Sequence, residues 1–238
     1  MTAMTYDATY FDSPELAAAR RLQRAGQWDT ALALLPDGHT ATALRADILV
    51  DRHMWRLDPV DDALAAIDAV RGAQPKLAVF LTAQLEYWRR LFGGVGPALG
   101  GDPVEEFASV VDHAPLAGWA AFWRAVTLEN LHKDPVGAAE GYAHAHPLAQ
   151  AGSDLLLESY VVRHQGAQLC EKGEKERGVA LLRRSLHLRA ACGARPHVAA
   201  AQATLAGSLG SVPEAEELRA IAASVAHELD LTWLKPQV

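Results

Sequence analysis

The sequence predicts an all-α fold, an α-solenoid of about six antiparallel helix pairs. Three observations carry that prediction. Between recurrent Pro and Gly residues the chain is rich in Ala, Leu, Arg and Glu, with apolar residues three and four apart. Runs of β-branched residues and two-residue hairpin turns are missing. Small residues recur at a near-constant interval, Ala31, Ala63, Ala108, Ala138, Gly178 and Ala215, in steps of 32, 45, 30, 40 and 37 residues.

The elements follow in order. Ser13-Pro14-Glu15 reads as an N-cap, a proline at the first helical position and an acid in the first turn, opening a helix over Ser13–Ala25 that Gly26 ends. Its partner spans Trp28–Leu35, stopped by Pro36-Asp37-Gly38. The second pair is His39–Leu57 and Val60–Arg71, separated by Asp58-Pro59. The third is Lys76–Phe92 and Pro103–Val111. Its connection, residues 93–102, holds five glycines and one proline in ten residues and must be a loop. The fourth pair is Leu116–His132 and Val136–Ala149, with Asp134-Pro135 repeating the earlier device. The fifth is Asp154–Glu171 and Glu174–Ala191, turning at Gly173. The sixth is His197–Leu209 and Pro213–Leu229. The expected organisation is a single domain over 1–238, with an N-terminal extension (1–12), the Gly-rich insertion (93–102) and a short tail (230–238) that carries Trp233.

Composition narrows the classes. A chain of 238 residues that is 50% apolar has ample material for a core. Its formal charge of −7 argues against a nucleic-acid partner, which needs a dominant basic surface. No run of about 18 apolar residues occurs, so no membrane span is expected. The N-terminus has neither a basic nor an apolar signal region. Two cysteines, Cys170 and Cys192, cannot build a disulfide framework, and a cytoplasmic location follows as the simple expectation.

The clearest repeating unit runs from Ser159 to Arg195. Gly166, Leu169, Gly173, Gly178, Leu182 and Ser185 alternate small, large, turn, small, large and small residues. The first unit echoes it with Ala19, Leu22, Gly26, Ala31 and Leu35. The fourth does so with Ala138, Tyr142 and Ala145, and the second with Ala63 and Ile67. This pattern resembles the tetratricopeptide (TPR) repeat over most of the chain, although the steps are irregular and no unit carries the complete signature. The resemblance implies a right-handed superhelix whose first helices line a concave groove.

In TPR proteins the groove-facing positions lie on those first helices. Counting back from each turn, they correspond here to Arg20, Gln23 and Arg24; Arg52, Trp55 and Arg56; Tyr87 and Arg90; Trp123 and Asn130; and Tyr160 and Arg163. Arginines and aromatics in an acidic chain would focus positive potential on an anionic guest. The competing reading pairs the arginines with Asp47, Asp51, Glu86 or Glu129 in solvated bridges and leaves Trp55, Trp88 and Trp123 in the core.

No catalytic motif stands out. His144 and His146 are two apart, so on a helix they diverge and make a poor metal pair; no metal and no cofactor is expected. His164 or His53 would serve acid–base chemistry only if buried beside a carboxylate. The leading expectation is a non-catalytic module holding an extended protein or peptide segment in the Arg/aromatic groove. The alternative is a small-molecule site, for an anionic ligand in a biosynthetic enzyme or sensor, with the Gly-rich loop as cover. A homodimer is expected only if the apolar stripe Leu218, Ile221, Ala222, Val225 and Leu229 on the last helix is left exposed.

Overall fold

The computed structural model describes residues 13–94 and 96–235. The expected N-terminal extension, residues 1–12, lies outside them. The described residues form twelve α-helices and no strand, followed by one 3-10 turn. The helices are α1 (Pro14–Arg24), α2 (Trp28–Ala33), α3 (His39–Arg56), α4 (Asp61–Arg71), α5 (Pro75–Leu91) and α6 (Pro103–Ala108). They continue with α7 (Ala117–Asn130), α8 (Pro135–Ala151), α9 (Leu155–Glu171), α10 (Lys175–Ala191), α11 (Arg195–Leu209) and α12 (Pro213–Leu229). The 3-10 turn is Thr232–Leu234.

Short polar side chains start several helices by accepting otherwise orphaned N–H groups. Ser13 Oγ accepts from Leu16 N at 3.1 Å, with Pro14 at the first helical position. Asp102, Asp134 and Asp154 do the same for α6, α8 and α9 at 2.9, 2.9 and 3.0 Å. Asp58 does not cap α4. Its carboxylate is taken by Arg52 at 2.8 Å, Leu57 reverses the chain at φ 52°, and α4 begins only at Asp61. Pro147 sits within α8, which runs on to Ala151, so His144 and His146 occupy one uninterrupted helix rather than its end.

Each odd-numbered helix packs on the even-numbered helix that follows it, and α1, α3, α5, α7, α9 and α11 also touch one another in succession. This is the two-layer arrangement of an α-solenoid: an inner layer of first helices and an outer layer of second helices. Small residues set the closest crossings. A Cβ on Gly178 would lie 2.6 Å from Gly166 O and 2.4 Å from Cys170 Sγ, so α9 and α10 meet almost backbone to backbone. Ala31, Ala63, Ala138, Gly178 and Ala215 are buried at the start of their helices, as the interval predicts. The third unit departs from it. There Phe107 is buried, Ala108 is half-exposed, and α6 stops at Ala108 instead of Val111 because turns occupy the stretch that follows.

The two ends of the array meet. Gly26, at φ +80°, brings the α1–α2 turn against Leu229 and Pro196, where a Cβ would lie 2.8 Å from Leu229 Cδ1. Arg56 Nε donates to Leu229 O at 3.4 Å, and Thr232 Oγ1 donates to Arg56 O at 2.5 Å. On α12 the predicted apolar stripe is divided. Ala222 and Leu229 are buried, Leu218 and Val225 are half-buried, and Ile221 is exposed.

Candidate functional site

The inner helices and the C-terminal tail line a half-open cavity of about 390 Å³. Its walls are mostly aromatic. Trp55 comes from α3, Tyr87 and Trp88 from α5, Phe122 and Trp123 from α7, and Tyr160 from α9. Small side chains of α11, Ala200 and Ala203, leave the room that the rings do not fill. Trp233 and Leu234 of the tail form part of the lining.

The aromatic side chains hold one another in place. Trp233 stacks on Trp55 with centroids 5.2 Å apart, and it also lies near-parallel to Trp88 at 6.2 Å. Trp88 in turn stacks on Phe92 at 5.5 Å. On the opposite wall Tyr87 and Trp123 meet edge to face at 5.5 Å, and Phe122 contacts Tyr160 at 5.1 Å. Interlocked rings of this kind are rigid and present flat apolar faces.

One side of the lining is polar. Asn130 Nδ2 donates to the Tyr87 hydroxyl at 2.6 Å. Behind it, Glu129 joins three helices: it accepts from His164 Nδ1 at 2.7 Å, from the Tyr142 hydroxyl at 2.8 Å and from Gln168 Nε2 at 2.8 Å. Burial alone would raise the Glu129 carboxyl, but these donors, His164 foremost, hold it down to about 2. Burial, aided by the nearby Arg163 charge, lowers His164 to about 4. At neutral pH Glu129 is therefore a carboxylate, and His164 is a neutral imidazole with its proton on Nδ1, aimed at Glu129.

Two guanidinium groups line the same cavity. Arg189 reaches in from the outer helix α10 and is 3% exposed. Its Nη1 donates to His197 O at 2.8 Å, its Nε to Ser159 Oγ at 3.3 Å, and its plane lies 4.9 Å from the Tyr160 ring centre. Burial lowers its pKa to about 10, still well above neutrality. Arg163 is half-buried. Its Nη1 is 3.3 Å from both ring nitrogens of His164. An in-plane approach at equal distances would overlap the carbon between them, so the nitrogen lies over the ring face, where no lone pair can accept. Neither arginine makes an ion pair with a carboxylate among the described residues.

A smaller pocket of about 70 Å³ shares Met54, Trp88, Trp123 and Tyr160 with the cavity. Its polar side carries a hydrogen-bonded network. Arg20 pairs with Asp47 and donates to Gln23 at 2.6 Å. Asp51 accepts from Trp28 Nε1 at 2.8 Å and Trp55 Nε1 at 3.1 Å. Burial raises Asp51 to about 6 in spite of these donors.

The residues singled out from the sequence divide into three groups. Trp55, Tyr87, Trp123, Asn130, Tyr160 and Arg163 come together around the cavity. Arg20, Gln23 and Arg24 line the smaller pocket. Arg52, Arg56 and Arg90 are engaged elsewhere. Arg52 bridges Asp58, Asp29 and Asp62, while Arg56 binds Asp29 at 3.2 Å and covers Trp28. Arg90 binds Glu86 at 2.7 Å and Asp102 at 3.0 Å. For these three, carboxylate pairing decides where the side chain goes.

The Gly-rich segment is tied down on α5. Glu86 accepts from Arg89, from Arg90 and from the Leu99 N–H at 3.0 Å, and Arg90 also donates to Gly101 O. None of its described residues lines the cavity, whose cover is the tail. Among the contributors that escaped the sequence reading, Arg189 and Trp233 matter most. Arg189 lies on a second helix, which a rule restricted to first helices excludes. Trp233 did carry a signal, because a tryptophan in a polar tail rarely stays in water.

No family model matches the chain, and no curated protein matches it in sequence.

Proposed function

We propose that this protein binds a small apolar molecule inside its ring of helices. The observation that carries this reading is the cavity of about 390 Å³ between the inner helices, lined by interlocked aromatic rings and covered by Trp233 and Leu234. Its size falls within the range of about 300–1,000 Å³ common for ligand sites. Aromatic walls with a few fixed polar groups on one side suit a compact guest better than an extended chain. The extended-peptide reading needs a free concave face and free arginines, whereas the tail lies on that face and Arg52, Arg56 and Arg90 hold carboxylates. We read the helix pairs as diverged TPR-like units, on the strength of the small-residue crossings at Gly166 and Gly178. Two free thiols, Cys170 and Cys192, suit a reducing compartment, and no helix among the described residues is long and apolar enough to cross a membrane.

The Glu129–His164 pair has the form of an acid–base couple. With His164 held down to about 4, however, it is a weak base at neutral pH. That supports a role in holding the site's shape over proton transfer.

The test is binding of N-phenyl-1-naphthylamine, a neutral aromatic probe, followed by its fluorescence. The expected result is stoichiometric binding that Ala203→Phe weakens at least tenfold with little change in melting temperature, because the new ring fills the cavity. Equal binding to both proteins, or binding to neither, would overturn the reading.

A further inference from the structure

We infer that the guest is an apolar carboxylic acid whose carboxylate is taken up by Arg163 and Arg189. This rests on the proposed small-molecule reading and names the ligand class of that same cavity.

The argument is one of unmatched charge. Burying a guanidinium is costly unless an anion or a full set of acceptors compensates it. Elsewhere in this molecule that rule is kept: Arg20 has Asp47, Arg52 has Asp58 and the half-buried Arg90 has Glu86. The two arginines lining the cavity are the departure. Arg189, though almost wholly buried, has a carbonyl, a hydroxyl and the face of Tyr160, and its Nη2 has no hydrogen-bond partner among the described residues. Arg163 has only the face of the His164 ring. The carboxylate behind this wall is no remedy. Glu129 is already satisfied by His164, Tyr142 and Gln168, which turn it away from the cations.

A guest carboxylate would complete this arrangement. Guanidinium groups bind carboxylates with two parallel N–H···O bonds, and a largely apolar surround strengthens such a pair. The remaining surface is mostly apolar, so most of the rest of the molecule must be apolar too. The rings of Trp88, Trp123 and Trp233 line the part of the cavity that would receive it. One anionic group is indicated, because Arg163 and Arg189 are the two arginines that line the cavity. The same chemistry occurs on aliphatic and on aromatic acids, and the experiment separates them.

The experiment is isothermal titration of the full chain at pH 7.5 with 1-naphthaleneacetate, with its neutral amide, and with dodecanoate. At least one of the two acids is expected to bind ten or more times tighter than the amide. Tighter binding of naphthaleneacetate marks an aromatic guest, and tighter binding of dodecanoate an aliphatic one. Arg163→Gln is expected to remove most of the preference for acid over amide. Arg163→Lys, which keeps the charge, is expected to retain part of it. If the amide binds as well as both acids, the inference is overturned while the cavity reading stands. Binding of N-phenyl-1-naphthylamine alongside binding of neither acid would overturn it in the same way. If no probe binds, both fall.

Discussion

Trp233 stacks on Trp55 with ring centres 5.2 Å apart and 19° between planes, and through this contact the tail of the chain closes on its third helix. Trp55 is itself held by its indole N–H on Asp51. The cover of the cavity is thus fastened at one edge to a buried carboxylate.

Removing that cover should be tolerated by the fold but not by the site. Trp233→Ala deletes a half-buried ring, which costs about 1–3 kcal/mol. The expected outcome is a drop of several degrees in melting temperature, together with readier acrylamide quenching of the remaining tryptophan fluorescence. Unchanged quenching would mean the tail does not guard the cavity.

The α9–α10 crossing should be far less forgiving. Gly178→Ala puts a methyl group 2.6 Å from Gly166 O, a distance backbone atoms cannot accept without separating the helices. A loss of about 2–4 kcal/mol is expected in urea unfolding. Gly207→Ala, with nothing within 4 Å of the new carbon, should instead be neutral or slightly stabilising.

Acid should weaken the fold before most of its carboxylates are protonated. Burial lowers His164 from 6.5 to about 4 and His197 well below 6.5, so between those values the unfolded chain binds protons that the folded chain refuses. Stability therefore falls as pH drops from about 6.5 towards 4, by on the order of 3 kcal/mol for His164 alone. Asp51, raised to about 6, works in the opposite sense, because its folded form gains a proton first. Glu129, at about 2, adds a further loss only below about 4.5. Denaturation midpoints measured from pH 7 to 4.5 should decline, and His164→Gln should flatten the decline.

Arg52→Gln and Arg56→Gln test where ligand recognition resides. Both arginines are committed to Asp29 on the outside of the array, so cavity binding should change less than twofold, with stability losses of about 1 kcal/mol or less from partly exposed pairs. A tenfold loss of binding would move the site onto the outer face.

Glu86 anchors the Gly-rich segment. Glu86→Ala strips Arg89, Arg90 and the Leu99 N–H of their shared acceptor. The expected outcome is faster amide hydrogen exchange over residues 96–101, with cavity binding retained. Loss of binding would instead make the segment part of the cover.

Local signals in the chain were legible because they act over one or two helical turns. Ser13-Pro14 opens α1, Gly173 turns α9 into α10, and Gly166 with Gly178 marks where those helices cross. The site was half legible. Trp55, Tyr87, Trp123, Asn130, Tyr160 and Arg163 share the inner layer, and periodicity places them there. Arg52 and Arg90 occupy similar positions, yet an aspartate or glutamate within reach draws each aside. Such competition is settled by fractions of an ångström that spacing does not encode.

The twelve helices and their pairing were legible in the chain, since 3.6-residue periodicity, caps and glycines are properties of neighbouring residues. What the chain does not spell out is that the array closes on itself around a half-open cavity with two guanidinium groups on its wall. Closure depends on small rotations accumulated from pair to pair and on contacts such as Thr232 with Arg56, 176 residues apart in the chain. No local pattern records the sum of those rotations.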